Sequence, residues 1–179
     1  MLVQLSGVPG SGKSTLARGI AAATGAVVVD TDVLKSALVG SGIAVAAAGR
    51  PTYAAALALS ADLLAQHRGV VLDSPCRYPE LLAAGQRLAR DAGVRYAFIE
   101  LWASDTAALL PRLDRRTPRA SQVASSTAPV PGTAWEFGTP ERTLSTWQSQ
   151  LVRPEQDWLR LDAEVSVEAN LAEALTHLA

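Results

Sequence analysis

The sequence holds one cysteine, two histidines and one methionine in 179 residues. A lone Cys76 excludes an internal disulfide, and with so few histidines no zinc cluster can be assembled. Charge of one sign is missing as well: 16 Lys and Arg against 17 Asp and Glu leave a net charge of −1. A protein that grips long nucleic acid through its phosphates ordinarily carries a basic excess or stripe. This balance argues against such a partner. No apolar run reaches the ~18 residues of a membrane span, and Arg50 interrupts the longest candidate. A first strand predicted from residue 2 leaves no room for a signal peptide, so a soluble cytoplasmic protein is expected. Aromatics are sparse, 5% of residues, whereas 49% are apolar, with Ala and Leu dominant. That composition is globular rather than disordered, and the length suits one domain, residues 1–179, with a sizeable core.

The hydrophobic period switches repeatedly along the chain. Residues 2–6 (LVQLS), 26–30 (AVVVD), 69–73 (GVVLD), 95–102 (RYAFIELW) and 157–162 (DWLRLD) read as strands. Near-continuous apolar runs such as Val27, Val28 and Val29 suit strands covered on both faces, as in a parallel sheet. Between them lie helical stretches. KSTLARGIAAAT stops at Gly25 and PELLAAGQRLARDA at Gly93, both natural C-terminal caps. Residues 52–68 have strong helix composition, and a last helix follows Ser166. Strands alternating with helices predict a doubly wound α/β sheet with right-handed crossovers, which binds ligands at the carboxyl ends of its strands. Two segments break the pattern. Residues 40–51 are rich in glycine and alanine and read as irregular, and residues 117–140 form a long stretch rich in proline, serine and threonine. A loop of that length in a compact domain is a lid, a binding loop or a disordered insert.

Residues Gly7 to Ser14, GVPGSGKS, fit the pattern G-x-x-x-x-G-K-[ST] in full, with a strand before and a helix after. The chemistry requires glycines because backbone N–H groups must turn toward a chain of phosphates, unshielded by side chains. The following helix adds its positive end. Gly7, Pro9, Gly10, Ser11, Gly12, Lys13, Ser14 and Thr15 form this cradle. Lys13 is expected to contact the β- and γ-phosphates of ATP, and Ser14 to ligate Mg²⁺.

Acidic residues follow the next two strands. If the chain turns helical at Thr31, Asp32 and Lys35 are three apart and share a face. A carboxylate there can accept a proton from an acceptor hydroxyl while the cation holds the acceptor. Alternatively Asp30 or Thr31 merely caps a helix and Lys35 is solvated. Asp73 ends an apolar strand, where a Walker B acid would hold Mg²⁺ or its waters; capping the next turn is the other reading. Arg77 faces either the same cleft or solvent. The run LLPRLDRRTPR supplies Arg112, Arg115, Arg116 and Arg119. A helical arrangement puts Arg112 and Arg116 one turn apart, where arginines swinging over a transferring phosphoryl group lower the barrier by roughly 10³–10⁵ in rate. A solvated helix end is the alternative. Pro111 would break a helix begun at Ser104, so a restart there is expected.

Together, GVPGSGKSTLARGIAAATGAVVVDTDVLKSAL, GVVLDSP and LLPRLDRR resemble the zeta-toxin and polynucleotide-kinase-like branch of small P-loop kinases. Chloramphenicol phosphotransferase and gluconate kinase resemble it more distantly. The resemblance implies a three-layer P-loop sandwich with a five-stranded parallel sheet of order 2-3-1-4-5 and a mobile lid over about residues 112–140. It also implies transfer of the ATP γ-phosphate to a hydroxyl. Asp32 matches the family's general base. Lys35 stands where polynucleotide kinases carry an acceptor-contacting arginine, and Lys holds an anion with less geometric definition than a bidentate Arg. Lid arginines carry over to Arg112 and Arg116, with Arg116 favoured as the catalytic one. Trp135 and Phe137 are either an acceptor-side aromatic wall or anchors of the loop.

Three functions compete on these observations. A kinase for a small hydroxylated molecule (a sugar, nucleoside or antibiotic) accounts for Asp32, the arginines and the neutral surface. A nucleic-acid 5′-hydroxyl kinase should add a basic channel, which the charge count disfavours. A nucleotide-dependent switch or ATPase acting on a protein partner would need no acceptor base.

Overall fold

The computed structural model describes residues 1–122 and 138–179. Its elements are β1 (Leu2–Gly7), α1 (Lys13–Thr24), β2 (Val27–Asp30), α2 (Thr31–Gly40), α3 (Gly49–Ala65), β3 (Val70–Asp73) and α4 (Pro79–Asp91). There follow β4 (Tyr96–Trp102), a 3₁₀ turn (Thr106–Leu109), α5 (Leu110–Asp114), α6 (Pro140–Ser149), β5 (Trp158–Asp162) and α7 (Val167–Leu178). The five strands form one all-parallel sheet in the order β2-β3-β1-β4-β5, the arrangement expected above.

Every residue of β1 and β3 is buried, which is why these strands read as unbroken apolar runs. Alternate side chains still face opposite layers. Val3, Leu5, Ile99 and Leu101 pack on one face with Leu16, Ala17 and Ile20 of α1, and with Ala174 of α7. Leu2, Leu72 and Val29 pack on the other with Ala56 and Leu64 of α3. Register aligns Asp30 with Asp73 and Leu5 with both Asp73 and Ile99. The carboxylates after β2 and β3 are therefore neighbours at one end of the sheet.

Two polar arrangements inside this core carry no sequence signature. Gln4 of β1 is fully buried, accepts from Tyr96 Oη at 2.8 Å and donates to Leu81 O at 3.4 Å. Glu100 of β4 is equally buried and takes both Nε (2.5 Å) and Nη2 (2.7 Å) of Arg153. The bidentate geometry satisfies a carboxylate that would otherwise be costly to bury.

The boundaries of two helices differ from the sequence reading. The helix assigned to residues 52–68 runs Gly49–Ala65, so residues 49–51, read as irregular, belong to it. Pro51 is accommodated because first-turn N–H groups have no intrahelical partner. The end comes early because His67 adopts φ 59. The second correction concerns the arginine run. The chain after β4 makes a 3₁₀ turn and restarts at α5 with Pro111 in its first turn. Arg115 caps α5, leaving Arg116 beyond the helix rather than on one helical face with Arg112.

Candidate active site

The phosphate cradle joins β1 to α1. Gly12 is the N-cap of α1 at φ 96, a left-handed conformation that leaves the first-turn N–H groups without a side-chain cap. Gly10 has φ 84, and a Cβ there would stand 3.0 Å from Leu109 O and 3.2 Å from its Cβ. The 3₁₀ turn thus presses directly on the loop. Lys13 Nζ donates to Val8 O at 3.3 Å, and the Ser11 hydroxyl is buried.

Asp73 lies beside the cradle at 3% exposure, and its Oδ2 has no hydrogen-bond partner. Burial pushes its carboxyl above the ordinary value, opposed by Lys13 and the Ser14 hydroxyl, while Asp30 and Asp32 push in the same direction as burial. An orphaned carboxylate oxygen facing a hydroxyl and a lysine fits a hard divalent cation. Mg²⁺ characteristically uses one or two carboxylates plus substrate phosphates rather than an all-protein cage. Among the described residues no group of three or more His, Cys, Asp or Glu could hold a metal by itself.

Of the two residues that could cap α2, Asp30 and Thr31, it is Asp30 that does so. Asp30 caps α2, its Oδ1 accepting from the N–H groups of Asp32 (2.8 Å) and Val33 (3.3 Å). Asp32, in the first turn of α2, lines the cleft with Lys35. Its Oδ2 accepts from Gln122 Nε2 at 2.5 Å. Ser121 reinforces this seam through the Ser36 hydroxyl at 2.8 Å and Asp32 O at 3.3 Å. Nothing in the residue pattern singled out Gln122, because the contact joins positions 90 residues apart.

The arginines separate spatially. Arg112 Nη1 donates to Ala163 O at 2.6 Å, bracing the turn after β5. Glu164 in the same turn accepts from the Ser104 hydroxyl at 2.7 Å, and these hydrogen bonds hold its carboxyl below the usual range. Arg116 sits near Asp32; burial pulls its guanidinium below the ordinary value and the Asp32 charge opposes this. Arg77 lies over the Trp147 ring, 5.3 Å from its centroid, and donates to Gln150 Oε1 at 2.9 Å. Arg160 instead stacks on Trp102 and Trp158, at 4.8 and 5.2 Å. Trp135 and Phe137 lie outside the described residues.

One cleft of about 1140 Å³ at the carboxyl end of the sheet is bordered by the cradle, Ser121, Gln122 and Glu164, while Asp30, Asp73 and Arg160 lie outside its lining. Lys13, Asp32, Lys35, Arg77, Arg112 and Arg116 all line it. So do Tyr53, Tyr78 and Trp147, which the sequence reading did not single out. Cys76 is fully buried and burial pushes its thiol up to about 12, the state of an inert apolar side chain. Among the described residues no helix is long and apolar enough to cross a membrane.

A parallel sheet of this order with a phosphate loop after its first strand defines a P-loop kinase fold. The chain belongs to the AAA_33 family, described as an AAA domain, whose model matches residues 2–136. It is similar to an uncharacterized protein of Mycobacterium tuberculosis, 32% identical over 141 residues, an alignment covering 72% of this chain and 28% of the relative. The chain thus spans little more than a quarter of that relative's length. In fold it is similar to a gluconokinase from Sinorhizobium meliloti, with TM-score 0.63, 23% identity and coverage of 98% and 90% of the two chains. It is likewise similar to the Mycobacterium tuberculosis APS kinase in complex with AMPPNP and APS, with TM-score 0.68, 21% identity and coverage of 99% and 96%.

Proposed function

We propose that this protein is an ATP-dependent kinase that moves the γ-phosphate to a hydroxyl of a small molecule. The observation carrying the reading is the placement of Asp32. Its carboxylate borders the same cleft as the phosphate cradle, with Arg116 beside it and one oxygen held by Gln122. A switch or ATPase has no need of a positioned acceptor base. A sugar, nucleoside or antibiotic fits the near-neutral chain, with its net charge of −1, better than a polynucleotide does.

The roles follow from position. Lys13 and the α1 N-terminus hold the β- and γ-phosphates, and Arg112 steadies the turn that borders the nucleotide side of the cleft. Ser14 and Asp73 would hold Mg²⁺, which when bound neutralises phosphate charge. Asp32 orients the acceptor hydroxyl and takes its proton. Arg116 neutralises charge on the equatorial oxygens of the transferring group. Lys35 and Arg77 flank the acceptor. The segment 112–140, of which 123–137 lie outside the described residues, is proposed as a lid on the strength of its arginines and of the contacts that Ser121 and Gln122 make to α2, and the whole chain as one catalytic domain. Excluding water matters because water is the competing acceptor.

The test is transfer of label from γ-labelled ATP across sugars, nucleosides, aminoglycosides and 5′-hydroxyl oligonucleotides, with released phosphate counted in parallel. A labelled small molecule is the expected result. Release without any labelled acceptor would favour the ATPase reading, and label on the oligonucleotides alone would favour the nucleic-acid kinase.

A further inference from the structure

The acceptor side of the cleft is lined by flat groups. Tyr78 is half exposed, at 50%, and forms a T-shaped pair with Tyr53, with ring centroids 5.9 Å apart and an interplanar angle of 74°. Tyr53 faces Ser74, Arg77 and Asp32, and burial pushes its phenol up to about 12. It therefore stays protonated and serves as a rigid brace for its neighbour. Beside them the Arg77 guanidinium lies over Trp147. These residues come from α3, the β3–α4 connection and α6, so the tertiary structure converges them on one wall of the cleft that Asp32 borders.

Tyr78 is also the residue that its local position explains least. It is the N-cap of α4, a site that prefers Ser, Thr, Asp or Asn, and its side chain makes no cap hydrogen bond. A half-exposed tyrosine there gains little from burial. Departures of this kind from local preference concentrate at functional positions. A T-shaped pair covers at most one face of either ring, so half-exposed Tyr78 keeps a face for stacking, the geometry that aromatic side chains use toward planar and cyclic ligands.

We propose that the phosphate acceptor is a cyclic compound whose ring lies against Tyr78 while its hydroxyl reaches Asp32. The inference rests on the phosphotransfer reading above and narrows it. An open-chain polyol presents no face to the tyrosine. In the step itself the acceptor hydroxyl gives its proton to Asp32 and its oxygen bonds to the γ-phosphorus. The bond from that phosphorus to the β–γ bridging oxygen breaks, and ADP departs with the electron pair.

The experiment compares matched acceptors with labelled ATP: methyl α-D-glucopyranoside against sorbitol, and uridine against ribitol. Label on a cyclic member and not on its open-chain partner is expected, and the two pairs separate a sugar platform from a nucleobase platform. Tyr78→Ala should raise KM for the labelled cyclic acceptor about tenfold, with KM for ATP unmoved, while Tyr78→Phe stays within about twofold because the ring face remains. Equal labelling of open-chain partners, or an unchanged acceptor KM in Tyr78→Ala, overturns the ring inference and leaves the kinase reading standing. Phosphate release with no labelled acceptor in either pair, nor among aminoglycosides and 5′-hydroxyl oligonucleotides run alongside, overturns both.

Discussion

Gln122 Nε2 donates to Asp32 Oδ2 across 2.5 Å, and Arg119 N fixes the other end of the same amide by donating to Gln122 Oε1 at 3.1 Å. One carboxylate oxygen is thereby occupied, and under the proposed function Oδ1 is the one to meet an acceptor proton. Ser121 and Gln122, which follow the arginines, are thereby tied to α2.

Asp32→Asn should abolish transfer while ATP affinity changes less than about twofold, since the side chain acts on the acceptor rather than the nucleotide. Gln122→Ala should lower kcat for transfer about tenfold, the value of one hydrogen bond to a charged group. ATP affinity should again hold. Gln122→Glu discriminates positioning from bulk structure. At neutral pH the introduced carboxylate repels Asp32, whereas at lower pH the two share a proton and the donated hydrogen bond returns. Activity relative to wild type should therefore rise as pH falls. A flat ratio across the pH profile would mean that the contact does not orient the base.

Asp73 makes a prediction about stability. Burial raises its folded-state pKa above the unfolded value. Between those two values the folded protein retains a proton that the unfolded chain has lost, so stability falls as pH rises through that window. In EDTA, Asp73→Asn should remove this slope. At pH 7 it should melt about 2–4 °C higher than wild type, for roughly 1 kcal/mol of relieved burial. The same variant should lose Mg²⁺-dependent nucleotide binding. A thermal melt series across pH, with and without the substitution, reads both.

The two arginines should fail differently. Arg116 is next to Asp32, the proposed base, so Arg116→Ala should lower kcat about 10³-fold with little change in KM for ATP. Arg112 braces the turn at Ala163 through a 2.6 Å hydrogen bond. Its replacement by Ala should mainly raise KM for ATP, by about tenfold. Steady-state kinetics on the two variants separates the assignments, and a kcat defect confined to Arg112→Ala would reverse them.

Gly85 offers a test remote from the cleft. A Cβ at this position of α4 would come within 2.1 Å of Gln4 Oε1, the atom that Tyr96 Oη binds. Gly85→Ala should destabilise by about 1–3 kcal/mol through overpacking, despite the ~1 kcal/mol of helix propensity that alanine adds. Urea denaturation measures the loss. Transfer activity of the folded fraction should be unaffected.

The local code carried much of this protein. Continuous runs such as Val70–Leu72 mark strands buried on both faces, because a strand covered on both sides has no solvent side to take polar residues. The glycines and Lys13 mark the phosphate loop, because only backbone N–H groups free of side chains can line it. Asp32, Lys35, Arg112 and Arg116 were legible as candidates since each follows a strand at the end where ligands bind. Their division of labour was not. Asp30 rather than Thr31 caps α2, and Arg112 turns to Ala163 while Arg116 stays near Asp32. Gln122, Tyr53, Tyr78 and Trp147 left no mark in the sequence, since each gains its meaning from a partner on another element. Which side chains converge on a cleft depends on how helices seat on a twisted sheet, and that is decided by packing across the whole core, not by any window of residues.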